Sequence, residues 1–160
     1  MIATPDTRLT PRSPAGTTIR QATGDVDLMA AATVQHYAYD IPCPPGPHDI
    51  ARLARLTGRG GLVAIALDDS SGTVIGTGLV DVTGDRPAVG ELAAVGVLPG
   101  FRRRGIASAL SAFLARTAHS QGISLVFLEA EPAEERTYRR TGFTDAATKL
   151  WASIRRHDDP

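Results

Sequence analysis

The chain has 160 residues, a hydrophobic fraction of 42% and 17 acidic against 17 basic side chains. That size supports one domain with a buried core, and the zero net charge argues against a broad nucleic-acid or anionic-membrane surface. Cys43 is the only cysteine, which excludes an internal disulfide and a cysteine-based metal site, and no run approaches the ~20 apolar residues of a membrane span. The expectations are a cytoplasmic protein with no membrane and no nucleic-acid partner.

Residues 1–16 hold three prolines, little to bury and no apolar h-region of a secretory signal, so a mobile tail is expected there. Residues 17–22 suit a short first strand. Residues 25–38 read as a helix capped by Asp25, with Val26, Met29, Ala30 and Val34 at helical spacing. The next twelve residues, Y-A-Y-D-I-P-C-P-P-G-P-H, contain four prolines. They exclude a regular helix or central strand and leave a loop carrying aromatics. Residues 49–56 form a second short helix, ended by the glycines at 58–61. Residues 62–67, 73–82 and 88–98 are strands joined by the turns D-D-S-S-G and T-G-D-R-P, an antiparallel meander.

Residues 105–121 carry the clearest helix, with Ile106, Leu110, Phe113, Leu114 and Thr117 as its buried stripe and Gly122 at its C-terminal stop. Residues 123–130 are apolar on both faces, as a central strand would be, so strand, helix and strand make a parallel crossover. Pro132 opens a last helix, with Glu134 and Glu135 in its first turn, Arg139 and Arg140 in its last, and Gly142 as its stop. Residues 143–154 supply a final strand or two, and 155–160 fray. The fold class is a mixed α/β (α+β) domain over residues 17–154. Its central mixed sheet runs from an antiparallel meander into a parallel β-α-β crossover, with helices on both faces.

The chemistry concentrates in V-G-V-L-P-G-F-R-R-R-G-I-A-S, residues 95–108. A strand that turns into a helix start presents unpaired N–H groups and the positive end of the helix dipole, a ready anion site. Arg102, Arg103 and Arg104 add charge beside it. There is no G-x-x-x-x-G-K-[ST], no G-x-G-x-x-G after a strand, no G-x-S-x-G, and no metal-ligand spacing among His36, His48, His119 and His157.

The run V-x-P-x-x-R-R-R-G-I-A resembles the acyl-CoA motif of the GNAT acyltransferases, Gln/Arg-x-x-Gly-x-Gly/Ala, with Arg102, Gly105 and Ala107 at its three defined positions. Tyr138 to Phe143, Y-R-R-T-G-F, resembles the family's Tyr-x-Lys/Arg-x-Gly-Phe segment. The likeness covers residues 62–154 and is weak over 17–61, where the family builds its acceptor site. It implies a GNAT-type fold and an acetyltransferase using acetyl-CoA as co-substrate, with no metal. The acceptor would be a primary amine, of a small molecule or else of a protein lysine or N-terminus. A non-catalytic acyl-CoA-binding module and a homodimer also fit the family.

The resemblance implies site residues as well. The amides of Arg103, Arg104, Gly105, Ile106 and Ala107 would hold the pyrophosphate of coenzyme A. Arg102 belongs to the same motif, and Ser108 either adds a hydroxyl or is an ordinary exposed serine. Val95, Gly96 and Val97 would offer main-chain groups to the pantetheine arm, with the Val97 N–H a candidate donor to the thioester carbonyl. Gly96 suits close backbone approach or simple packing. Tyr138 would protonate the departing thiolate, or is a half-buried helix tyrosine. Glu91, six residues before Val97, shares its face if no bulge intervenes. It is either the base or a surface carboxylate. Glu131 stands where the family often has Asn, and would accept from a pantetheine amide but cannot donate. Tyr37, Tyr39 and Asp40 on the proline-rich loop are candidates for acceptor binding. Cys43, without a basic neighbour, is not a nucleophile candidate.

Overall fold

The computed structural model describes residues 1–10, 12–82 and 88–148. Six strands form one sheet in the order β1-β6-β5-β4-β3-β2. The elements, in chain order, are β1 (Ile2–Ala3), β2 (Thr17–Gln21), α1 (Gly24–Ala38), α2 (Pro47–Gly58), β3 (Leu62–Asp68), β4 (Val74–Val82), β5 (Val89–Val97), a 3-10 turn (Pro99–Phe101), α3 (Ile106–Ser120), β6 (Leu125–Phe127) and α4 (Glu135–Thr141). Strands β2 to β5 are the antiparallel meander, and β5 pairs β6 in parallel. The turn expected at 83–87, the end of the last expected strand and the 155–160 end lie outside the described residues. No helix among the described residues is long and apolar enough to cross a membrane.

Two cores follow from the two-sided burial of the sheet. Leu62, Ala64 and Ala66 pack with Ile106, Leu110 and Leu114 of α3 on one face. Val63 and Ile65 pack with Leu28, Ala31, Ala32, Leu53 and Leu56 of α1 and α2 on the other. Period-2 alternation explains why one continuous apolar strand serves both. Gly76 and Gly78 let α3 sit close on β4: a Cβ at Gly78 would lie 2.9 Å from Leu114 Cδ1.

Three local expectations need correction. Asp25 does not cap α1; the Asp27 carboxylate accepts the Thr23 N–H at 2.7 Å and is held by Arg20. The α1 stripe is rotated, leaving Val26 84% exposed while Leu28, Ala31 and Ala32 are buried. The run Leu28–Ala32 is apolar throughout, so period alone could not choose the face. The segment 1–16 is not a detached tail. Ile2 and Ala3 pair with Phe127 and Val126 as the sheet edge, Thr10 N donates to Thr141 O at 3.2 Å, and Arg116 reaches Leu9 O at 3.3 Å. Main-chain hydrogen bonding holds this segment together with a few apolar contacts, Ala3 in the core and Met1 and Leu9 packed against it.

Candidate active site

The site forms where β5 and β6 part. Their pairing covers only Val89–Glu91 against Leu125–Phe127, while β5 continues to Val97. The expected strand over 123–130 is correspondingly shorter. Beyond Glu91, β5 has an open edge. Leu98 N donates to Ile75 O at 2.9 Å, so by antiparallel alternation the Gly76–Val97 pair turns its peptide groups away from each other. Val97 therefore faces the open edge. Its carbonyl accepts from Arg102 Nε at 3.1 Å, and the Val95 carbonyl accepts from the Tyr39 hydroxyl at 3.3 Å.

A bulge sits in this edge. The register steps from Leu79–Ala93 to Thr77–Gly96, so Ala94 and Val95 together oppose Gly78. Ala94 has φ 51°, unusual for a residue with a Cβ. The extra residue breaks the sequence-based relation between Glu91 and Val97. Ala93, two residues after Glu91, packs in the α1–α2 core, whereas Val97 packs in the α3 core. Glu91 thus lies on the α1 face, opposite Asp81 of β4, and Val97 points to the other side. Glu91 does not line the slot.

The slot encloses about 470 Å³. Ala38 and Tyr39 from the end of α1, Val95, Gly96 and Val97 of β5, and Arg102, Arg103 and Gly105 through Ser108 all line it. At its α3 end, Arg103 (φ 66°) and Gly105 (φ 82°) take left-handed conformations and curl the backbone into the helix. Ala109 N bonds Gly105 O at 3.0 Å, and among the described residues the N–H groups of Arg103 to Ser108 meet no acceptor. This run of orphan donors at the positive helix end fits an anionic group.

The three arginines diverge. Arg103 lines the slot. Arg102 turns inward and ties Val97 O to Ala38 O (3.3 Å). Arg104 does not line the slot; it stacks on Phe101, 5.0 Å from the ring centroid, and donates to Gly100 O.

Helix α4 adds Glu134, Thr137 and Arg140 to the lining. Tyr138 itself is half-buried and does not line the slot; its ring is edge-on to Phe143 with centroids 6.2 Å apart. Burial, with the charges of Glu134 and Tyr39 added, pushes its phenol pKa well above the tyrosine range. Burial and Glu134 raise that of Tyr39 too. Glu131 lines a neighbouring cavity with Glu129 and Glu135, not the slot. Glu134 lines the slot, with its Oε2 accepting from the Glu131 N–H at 3.3 Å. Sequence reasoning misses Glu134 and Arg140 as lining residues, because charges at the two ends of a helix are already explained by its dipole.

Tyr37, expected on the proline-rich loop, belongs to the last turn of α1 and is 66% exposed; on the loop Tyr39 enters the slot lining and Asp40 turns the chain at φ 52°. Neither Tyr37 nor Asp40 lines the slot. His36, buried, pins this loop: Nδ1 lies 2.6 Å from Cys43 O and Nε2 3.4 Å from Asp49 Oδ1. Cys43 is exposed.

Residues 30–143 match the family model described as Acetyltransferase (GNAT) family. No curated protein matches the chain in sequence. A GCN5-related N-acetyltransferase from Kribbella flavida superposes with a TM-score of 0.64 at 26% identity, over 88% of this chain and 51% of that one. One from Sphaerobacter thermophilus gives 0.70 at 26%, over 88% and 45%. The chain spans about half the length of these two proteins. AAC(6')-Iy, solved with a CoA-containing bisubstrate analog, gives 0.69 at 21% identity, over 87% and 98%, and shares the fold.

Proposed function

The chain belongs to the GNAT acetyltransferase family, and on that premise we propose that it transfers the acetyl group of acetyl-CoA to a primary amine of a small molecule. The observation that carries this is the continuity of two features: an open strand edge at Val95 and Val97, and orphan N–H donors from Arg103 to Ser108, lining one slot. An extended amide-bearing arm ending in a pyrophosphate is complementary to both. Acetyl-CoA supplies, when bound, a thioester carbonyl activated for attack by an amine.

The residues of the chain do the rest. The amides of residues 103–108 and the Arg103 side chain hold the phosphates, and Gly105 gives them the close approach. Val95 and Val97 share the open edge, so both offer main-chain groups to the arm. Val95 is bonded to Tyr39, whose phenol acts on Tyr138. Val97, expected from sequence, and Val95 at the bulge both line the slot, and either N–H can donate to the reacting carbonyl. Tyr138 keeps its proton and gives it to the departing sulfur. Glu134 places negative charge where a cationic amine arrives. Glu91 lies four residues before Val95, roughly 13 Å at strand rise. At that distance, and outside the slot lining, it is beyond the reach of one bridging water, so the proton of the amine passes to bulk water.

Calorimetric titration with acetyl-CoA tests the reading at its first step. The wild type is expected to bind and Gly105→Val to bind at least about tenfold more weakly, since a β-branched residue resists φ 82°. Equal affinities for the two proteins would contradict the cradle, and no wild-type binding would contradict the donor.

A further inference from the structure

Residues 94 and 95 of β5 have no ladder on either side. Pairing with β4 skips them, and pairing with β6 ends at Glu91. Peptides without ladder hydrogen bonds are less constrained in orientation, and Ala94 at φ 51° adds strain at the same point. One side chain takes the place of the missing ladder. The Tyr39 hydroxyl donates to Val95 O at 3.3 Å.

The position of Tyr39 is itself determined. Its N–H bonds Gln35 O at 3.0 Å and closes α1. The carbonyl before it, Ala38 O, accepts from Arg102, which also bonds Val97 O. The end of α1 comes this close only because residue 96 is glycine: a Cβ there would lie 2.7 Å from Ala38 Cβ and 3.7 Å from the Tyr39 ring. Two struts therefore join α1 to the open edge, Tyr39 at Val95 and Arg102 at Val97.

We propose that Tyr39 is a positioning residue for acetyl transfer, its hydroxyl holding the Val95 peptide at the bulge in the orientation that the donor's carbonyl requires. This rests on the transfer reading above. In an extended residue the N–H and C=O point to the same edge, so holding the Val95 carbonyl also aims its N–H along the slot. The phosphates bind at the other end, on the start of α3, and do not depend on this bond. Loss of the hydroxyl should therefore act on turnover and spare donor binding.

Tyr39→Phe keeps the ring and removes only the bond. Turnover is expected to fall about tenfold, with the KM for acetyl-CoA changed less than about twofold. The Val95 carbonyl carbon resonance of the ligand-free protein should move upfield, because a hydrogen bond to that oxygen is lost. Wild-type turnover in the variant, a loss confined to KM, or an unmoved Val95 resonance would each overturn the proposal. If the wild type transfers to no amine, the transfer reading fails, and the positioning role for transfer falls with it. A shift at Val95 would then still show the bond itself, which separates the two failures.

Discussion

Arg102, Arg103 and Arg104 are alike in sequence and have three separate fates in the structure. Arg103 lines the slot, Arg102 bridges β5 to the end of α1, and Arg104 stacks on Phe101. The motif marks the backbone they share, because orphan amides and the glycine at φ 82° depend on local chain geometry. The direction of each long side chain depends on neighbours distant in sequence, which spacing does not encode. Tyr138 poses the complementary case. Its type, its position and a half-buried setting were legible; its place outside the slot lining was not. Burial first, and then Glu134 and Tyr39, raise its pKa, so the phenol stays protonated through the ordinary tyrosine range near 10. Turnover measured from pH 7 to 10 is expected to show no alkaline fall from this group. Tyr138→Phe should lower kcat at least about tenfold and leave the Kd for acetyl-CoA unchanged. An unaltered kcat would remove Tyr138 from the proton transfer.

At the scale of elements, helices and strands were legible wherever period and stop signals agreed, as in β3, α3 and the Gly142 end of α4. Two features were not. The bulge at Ala94 and Val95 arises from how β5 registers on β4, and alanine and valine carry no bulge signal. At the start of α1 the sequence points to Asp25, and the fold uses Asp27 instead. Arg20 on β2 selects Asp27, whose side chain also takes the Thr23 N–H. The Arg20 bond first, and the Thr23 N–H after it, lower the Asp27 carboxyl to about 2 from 3.8. A depressed carboxyl stabilises the fold above its unfolded pKa and loses that contribution as pH falls through the folded value. Asp27→Asn is therefore expected to cost about 1–2 kcal/mol at neutral pH. In urea unfolding at a series of pH values, the gap to wild type should close between pH 4 and 2. A gap independent of pH would show that the ion pair is not its source.

Across the whole molecule, the sheet depends on both of its edges, and the chain reaches the β1 edge before it builds the rest. The segment from β1 to β2 passes the end of α4 and the side of α3, joined by main-chain and side-chain hydrogen bonds and by the packing of Leu9. A Cβ at Gly142 would lie 2.6 Å from Arg8 O, which shows how closely this segment is fitted. Composition marked it as a tail because prolines and polar residues bury little. Hydrogen bonding to distant elements leaves no such mark in sequence. Deleting residues 1–10 is expected to lower Tm by roughly 5 °C or more. An unchanged Tm would mean that the segment adds nothing to stability.

The central claim is that the slot presents a thioester to an amine, and acetyl-dependent thiol release tests it most directly. With acetyl-CoA saturating, the purified chain should be challenged with a panel of small primary amines, lysine-bearing peptides and free peptide N-termini, while released coenzyme A thiol is followed. The expected result is release above hydrolysis with at least one small-molecule amine, matched by acetylation of that amine in the mass spectrum. Release with peptides alone would move the acceptor to protein. Binding of acetyl-CoA with no amine-dependent release across the panel would contradict the account and leave a domain that holds the donor without transferring it.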